Sequence, residues 1–317
     1  MGAPIVSPTP ENISRAATCL REGGLVAMPT ETVYGLAANA ADPAAVARLY
    51  QAKGRPQFNP LIAHLPSPGL AFMQGDFSAA AQRIAGHFWP GPLTLVVDAA
   101  PEITICDLAR AGLGSVALRV PAHKVAQTLL AAFGGPLVAP SANPSGRISP
   151  TTAQHVAADM GDRLDMILDG GPCSAGVEST IIDARGDRPA LLRPGTIPAD
   201  AIDTIWPGLT RPSGDANSPS SPGQLLRHYA PNAKLRLNAD APREGEAFLG
   251  FGAGSATLNL SPRGDLTEAS ANLFAMLRAL DGNHTSISVA KIPATGLGEA
   301  INDRLSRAAD RGDDPCP

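Results

Sequence analysis

Aromatic side chains are scarce in this chain. Phe, Trp and Tyr make up 4% of its 317 positions, too few for a surface that stacks many nucleic-acid bases. Positive charge is not in excess either. The formal net charge is -4, so bulk electrostatics would not hold nucleic acid, and an RNA contact would be local or made through a partner. The four cysteines (Cys19, Cys106, Cys173, Cys316) are far apart and form no CxxC pair. That argues against a disulfide framework or zinc knuckle and fits a reducing cytoplasm. No apolar run reaches membrane-spanning length, and MGAPIVSPTPEN lacks the basic and apolar regions of a signal peptide.

Familiar catalytic signatures are missing too. There is no GxxxxGK[ST] loop, no HExxH, no GxSxG and no cluster of carboxylates, so P-loop, zinc-protease and serine-hydrolase chemistry have no support. Gly112, Gly114 and Ala117 match GxGxxA, but they precede a strand-like segment instead of joining a strand to a helix. Gly250, Gly252 and Gly254 follow a strand in the second half, a weak phosphate signal by itself.

What is present alternates. Thr9-Pro10 reads as the N-cap and first residue of a helix with Ile13, Ala16, Ala17 and Leu20 on one face. Asp42-Pro43 starts a second helix, with Val46, Leu49 and Tyr50 on one face, that Gly54 stops. Short apolar segments at 25–28, 61–65, 93–97, 116–120, 137–139, 166–168, 180–183 and 191–193 read as strands between further helices. An α/β domain with a mixed sheet is expected over residues 1–206. Residues 207–232, dense in Pro, Gly and Ser at their start, read as a linker able to fold over a cavity as a lid. A smaller α/β domain is expected over 233–317, with a frayed RGDDPCP tail.

The distribution of charge carries more information than its sum. No Asp or Glu occurs from Pro43 to Gly75, where Lys53, Arg55 and His64 lie in KGRPQFNPLIAHL. A second acid-free window from Leu108 to Ala158 holds Arg110, Arg119, Lys124 and Arg147, a third holds Arg188 and Arg193, and a fourth Arg227, Lys234 and Arg236. Cations kept apart from carboxylates suit an anionic ligand, although chance clustering and complementing a helix dipole are the plainer explanations. Two loops leave strand ends with small donors: Thr30-Glu31-Thr32-Val33-Tyr34-Gly35, and Pro140 to Gly146. In open α/β sheets such ends border ligand crevices.

TETVYGL, KGRP followed by NPL and His64, PSAN, the run Glu178–Asp183, LLRPG at Leu191–Gly195, and SPG followed by HYAP occur in that order. Together they resemble the threonylcarbamoyl-AMP synthases in their two-domain form. That resemblance implies a YrdC-like twisted mixed sheet with helices around a basic cavity, plus a smaller Rossmann-like α/β C-terminal domain. It implies synthesis of L-threonylcarbamoyl-AMP and pyrophosphate from L-threonine, bicarbonate and ATP. A separate transferase complex would then carry the threonylcarbamoyl group to tRNA, with no tight tRNA binding by this chain and no membrane. Position by position, it implies ATP contacts at Arg55, Asn59, Ser115, Ser141, Ser149, Arg193 and Tyr229, and threonine contacts at Thr32, His64, Arg119, the backbone of Ala139, and Ser179. Lys53 and Arg55 would be the catalytic cations, and Mg2+ would arrive with ATP. One departure is visible: Gln224-Leu225-Leu226 follows SPG where a basic residue is usual, leaving Arg227 as the nearest cation.

Two rival functions also fit a basic concavity. An RNA-binding or ribosome-associated module is disfavoured by the few aromatics and the acidic balance. Carbamoyl transfer during metallocentre assembly normally brings zinc-finger and acylphosphatase segments that this chain lacks.

Overall fold

Helix α1 (Pro10–Arg21) begins as its sequence dictates: the Thr9 side chain accepts from the Asn12 amide and Pro10 occupies the first turn. Ile13, Ala16, Ala17 and Leu20 form its buried face. The structure, a computed structural model, describes residues 2–212 and 228–309. Part of the expected linker, including Gln224, Leu225, Leu226 and Arg227, lies outside the described residues, as does the tail beyond Ala309; the lid expectation rests on that part.

Eleven strands form the first sheet among the described residues: β1 (Ile5–Val6), β2 (Val26–Met28), β3 (Gly35–Asn39), β4 (Ile62–His64), β5 (Gly75–Asp76), β6 (Leu93–Ala99), β7 (Ser115–Arg119), β8 (Leu137–Val138), β9 (Met166–Leu168), β10 (Thr180–Asp183) and β11 (Ala190–Arg193). They lie side by side as β1-β9-β2-β3-β8-β4-β7-β6-β10-β11, with β5 beside β6. The sheet is mixed: β4 runs parallel to β7 and β6 to β10, whereas β3, β8 and β4 pair antiparallel. Helices α2 (Pro43–Lys53), α3 (Pro68–Phe72), α4 (Ala79–Phe88), α5 (Lys124–Phe133), α6 (Ala153–Met160) and α7 (Ala199–Ile205) surround it.

One core face is built from Leu36, Leu49, Leu95 and Leu118 with α2 and α4, and another packs α1 and α5 on β2 and β9. A small third cluster, Ile62, Val96, Ala117 and Ile181 with Leu192 against it, carries no helix residue. This apolar strip borders the site.

A second, four-stranded parallel sheet follows, ordered β12 (Lys234–Arg236), β15 (Ser286–Val289), β13 (Ala247–Gly250), β14 (Leu258–Asn259), with helices α8 (Leu266–Asp281) and α9 (Leu297–Ala309). Its core does not stop at its own boundary. Val33, Ile148 and Val177 of the first unit pack in the same cluster as Leu273, Phe274 and Ile301. Gly176, at φ 74°, lets the backbones meet, because a Cβ there would lie 2.2 Å from the Ser270 carbonyl oxygen. Arg278 completes the seam, pairing with Asp159 at 2.6 Å.

Candidate active site

The turn after α2 sends two neighbouring cations to different places. Gly54 caps the helix in the left-handed conformation, and the Arg55 amide returns to the Tyr50 carbonyl at 3.0 Å. Lys53, the last helical residue, is therefore held beneath the loop after β8. Its ammonium donates to the Ser141 and Asn143 carbonyls, each at 2.5 Å. Burial, and then Arg55, pull its pKa well below the usual lysine range. Arg55 instead reaches the cavity wall, with Nε on the Asn59 carbonyl at 3.3 Å and Nη2 on that of Pro60 at 2.9 Å. Burial lowers its pKa to about 10. Lys53 thus does not share the cavity expected for both cations: the helix ends between them, and its ammonium is committed to main-chain oxygens.

The cavity, about 50 Å³, lies against the ends of β4, β7 and β11. Thr32, Arg55, His64, Arg119, Ala139, Ser141, Ser179, Arg193 and Tyr229 line it, so eight separate stretches of sequence converge. Parallel pairing places His64 opposite Arg119. Arg119 Nη1 donates to Thr32 Oγ1 at 3.0 Å, and its Nη2 pairs with Glu31 Oε1 at 2.7 Å. Burial brings His64 down to about 3, so its ring is neutral. Its Nδ1 faces the Ile62 carbonyl at 3.2 Å, and a carbonyl can only accept. Nδ1 therefore carries the proton and Nε2 is an acceptor.

Arg193 donates through Nε (3.2 Å) and Nη2 (2.9 Å) to the Ser179 carbonyl, and Nη2 also reaches Ser179 Oγ at 3.1 Å. Gly195 makes this closeness possible, since a Cβ there would sit 2.4 Å from the Ser179 carbonyl carbon.

Three expected contacts, Asn59, Ser115 and Ser149, are not part of the lining. Asn59 is buried, and neither polar atom of its amide has a partner; such a group is rarely left so without a ligand to take it. Ser149 donates to Glu178 Oε1 at 2.6 Å. Ser115 starts β7, four residues before Arg119, so strand alternation turns it to the same face, roughly 13 Å away. Ala117 of the apolar strip lies between them.

Tyr229 closes the cavity from the C-terminal side. It has a φ of 62°, uncommon for a residue with a Cβ. Its ring stacks on Phe274 at 5.5 Å, and its buried hydroxyl has no partner. His228 beside it is driven by burial to about 3.

Glu31, Glu178 and His228 fall inside the motifs read from sequence but with no contact assigned to them, and Arg304 falls outside all of those motifs. Glu178 faces the cavity; burial alone would raise its pKa, yet Arg304 and Arg193 hold it at about 2. Arg304 carried a usable signal: it sits among Ala300, Ile301, Leu305 and Ala308 on the buried face of α9, where an unpaired charge is not expected.

A buried, cation-lined pocket at strand ends, with Tyr229, whose hydroxyl has no partner, in its wall, is the architecture of an enzyme acting on a small anionic substrate. Residues 18–195 match the family described as telomere recombination, and residues 197–310 match the threonylcarbamoyl-AMP synthase C-terminal domain. The threonylcarbamoyl-AMP synthase of Bacillus subtilis is 38% identical, over 96% of this chain and 94% of its own. That of Pyrococcus abyssi is 40% identical over 93% of each. The crystal structure of P. abyssi Sua5 complexed with L-threonine superposes with a TM-score of 0.88 at 36% identity, over 97% of this chain and 96% of that one. The chain belongs to the threonylcarbamoyl-AMP synthase family, and its fold is that of a YrdC-like domain joined to the family's C-terminal domain.

Proposed function

We propose that this cavity condenses L-threonine, bicarbonate and ATP into L-threonylcarbamoyl-AMP and pyrophosphate, the activated donor for threonylcarbamoyladenosine in tRNA. One observation carries the assignment of parts: Arg119, Thr32 and His64 sit together at one end of the cavity, whereas Arg55 and Arg193 stand where β4 and β11 border the apolar strip. An amino acid fits the first group and a nucleotide the second.

At the amino-acid end, the Arg119 fork suits a carboxylate. Because Glu31 already occupies Nη2, the incoming carboxylate would share or displace that pair. His64 Nε2 accepts from the threonine hydroxyl, and Thr32 and Ser179 bound the same corner. The amine of threonine attacks CO2, losing a proton, or bicarbonate, from which water leaves, to give a carbamate. A carbamate oxygen then attacks the α-phosphorus of ATP in line, the bond to the bridging oxygen breaks, and pyrophosphate leaves with its electrons. Such a transfer needs positioning and charge neutralisation more than covalent help.

Arg55 and Arg193 would stabilise charge on the transferring and leaving phosphates. The Asn59 amide takes a ligand polar group, and the adenosine lies over Ile62 and Ala117 toward Ser115. Lys53 would act through the loop that it fastens, keeping Ser141 in place. Mg2+ fits as a companion of ATP that neutralises its phosphates. Among the described residues no group of His, Cys, Asp or Glu could hold a metal, and Glu178, on the cavity wall, has both oxygens engaged.

A cavity of about 50 Å³ holds only one or two waters, so binding must enlarge it. Tyr229 and His228 fill the side that a nucleotide would need. We place the enzyme in the cytoplasm: Cys19, Cys106 and Cys173 are free, and among the described residues no helix is long and apolar enough to cross a membrane. A transferase complex would take the adenylate onward. The test is radiolabelled pyrophosphate release: it should require threonine and bicarbonate together. Release indifferent to either one would sink the proposal.

A further inference from the structure

The buried cation that the reaction scheme leaves unused comes from the C-terminal unit. The Arg304 side chain is 0% exposed. Its Nε donates to Glu178 Oε2 at 2.7 Å, Nη2 to the Pro194 carbonyl at 3.0 Å and Nη1 to Asp303 Oδ2 at 2.5 Å. The guanidinium carbon also lies 5.1 Å from the centroid of the Tyr229 ring. Each partner outside α9 leads to one proposed ATP contact. Glu178 holds Ser149 by its other oxygen, at 2.6 Å. Pro194 follows Arg193 directly in the chain, and Tyr229 is itself a contact. Of the proposed threonine contacts, Thr32, His64 and Arg119 hydrogen-bond to neither Arg304 nor Glu178; Ser179 follows Glu178 in the chain, and its side chain meets Thr94 and Arg193.

A buried ion pair is weak evidence for stability, because packed apolar residues often serve as well. The seam between the two units is already secured by the Arg278–Asp159 pair, the Ser270 hydroxyl on the Ala175 carbonyl at 2.6 Å, and the apolar cluster around Val33, Ile148 and Val177. What Arg304 adds is geometry: one rigid fork ties three separate chain segments into fixed mutual positions.

We propose that Arg304 is a positioning residue for ATP, supplied by α9, and that through it the C-terminal unit takes part in the reaction. The inference rests on the assignment of ATP and threonine ends given above.

Steady-state kinetics on the full chain, varying ATP and threonine separately, test it, with Tm recorded for every variant. Arg304→Met should raise KM for ATP at least about tenfold while KM for threonine stays within about twofold. Glu178→Gln should shift it in the same direction, and Arg304→Lys, which keeps the charge but not the fork, should fall between Met and wild type. If Arg304→Met does not fold, the other two variants carry the test. A lowered Tm with both KM values unchanged, or equal rises in both, would overturn the proposal. A wild-type enzyme that releases no threonine-dependent pyrophosphate would instead overturn the parent assignment.

Discussion

The cavity of the first sheet and the C-terminal unit handle positive charge in opposite ways. Around the first sheet's cavity, Lys53 and Arg55 spend their donors on main-chain carbonyls, and Arg193 turns three hydrogen bonds onto Ser179. In the C-terminal unit the cations meet carboxylates: Arg236 with Glu246, Arg263 with Glu268, Arg304 with Glu178 and Asp303, and Arg307 with Asp303. A carbonyl orients a guanidinium without cancelling its charge. A carboxylate cancels it. The cavity therefore keeps a positive field for a ligand, whereas the C-terminal unit uses charge to fasten chain to chain. Arg119 is the exception at the cavity, and its partner Glu31 retains a buried oxygen without a hydrogen bond; away from the cavity the first unit pairs cations with carboxylates too, as Arg48 with Asp165 and Arg185 with Asp183.

The strongest test of this contrast is removal of a field-making cation. Arg55→Ala and Arg119→Ala should each lower kcat/KM at least about 100-fold, the usual loss for an electrostatic stabiliser in a desolvated site. Rates near wild type in either variant would remove that residue from the machinery.

Acid should weaken the protein through the neutral imidazoles kept beside these cations. His64 and His228 are both near 3 in the folded protein against 6.5 in an unfolded chain. Between those values the unfolded chain binds more protons, so stability is present above about 6.5 and is lost as pH falls toward 3. At pH 5 each would subtract about 2 kcal/mol, or some thirtyfold in the folding constant. Glu178, near 2 instead of 4.5, acts in the same direction below about pH 4.5. Chemical denaturation at pH 7 and pH 5 measures the sum, and His228→Gln should remove roughly one imidazole's share. An unchanged pH dependence in that variant would show that folding leaves the His228 pKa near its unfolded value.

Lys53 separates positioning from chemistry. Lys53→Met leaves two buried carbonyls without their donor, at about 1–3 kcal/mol each, and should lower both Tm and kcat/KM, the latter about tenfold. A loss as large as that of Arg55→Ala with Tm intact would return Lys53 to the transferring phosphate. At the small end, Arg236→Ala breaks a pair in the C-terminal unit and should leave turnover and both KM values unchanged; a change in turnover would mean that this unit's charges act on the site more widely than Arg304 alone.

Local rules in the sequence decided the elements. Thr9-Pro10 and Asp42-Pro43 start helices, and Gly54 ends one, because caps depend on a few adjacent residues. The strands at 166–168 and 180–183 have the extents that their apolar runs define. β3 is absent from the strands expected from sequence because it continues directly from the hydroxyl-rich loop at 30–35, while β1 and β5 are two-residue strands too short for any periodicity. Acid-free windows marked the cavity's cations without saying which would face it. Lys53 and Arg55 are two residues apart, and only the left-handed turn at Gly54, with the loop packed over it, sends one under Ser141 and the other to the ligand. Glu178 and Arg304, 126 residues apart, meet through packing between two sheets, and no local pattern encodes a distance of that kind. Side-chain chemistry was set by sequence; which charges stayed available was settled by the partners that folding brought within reach.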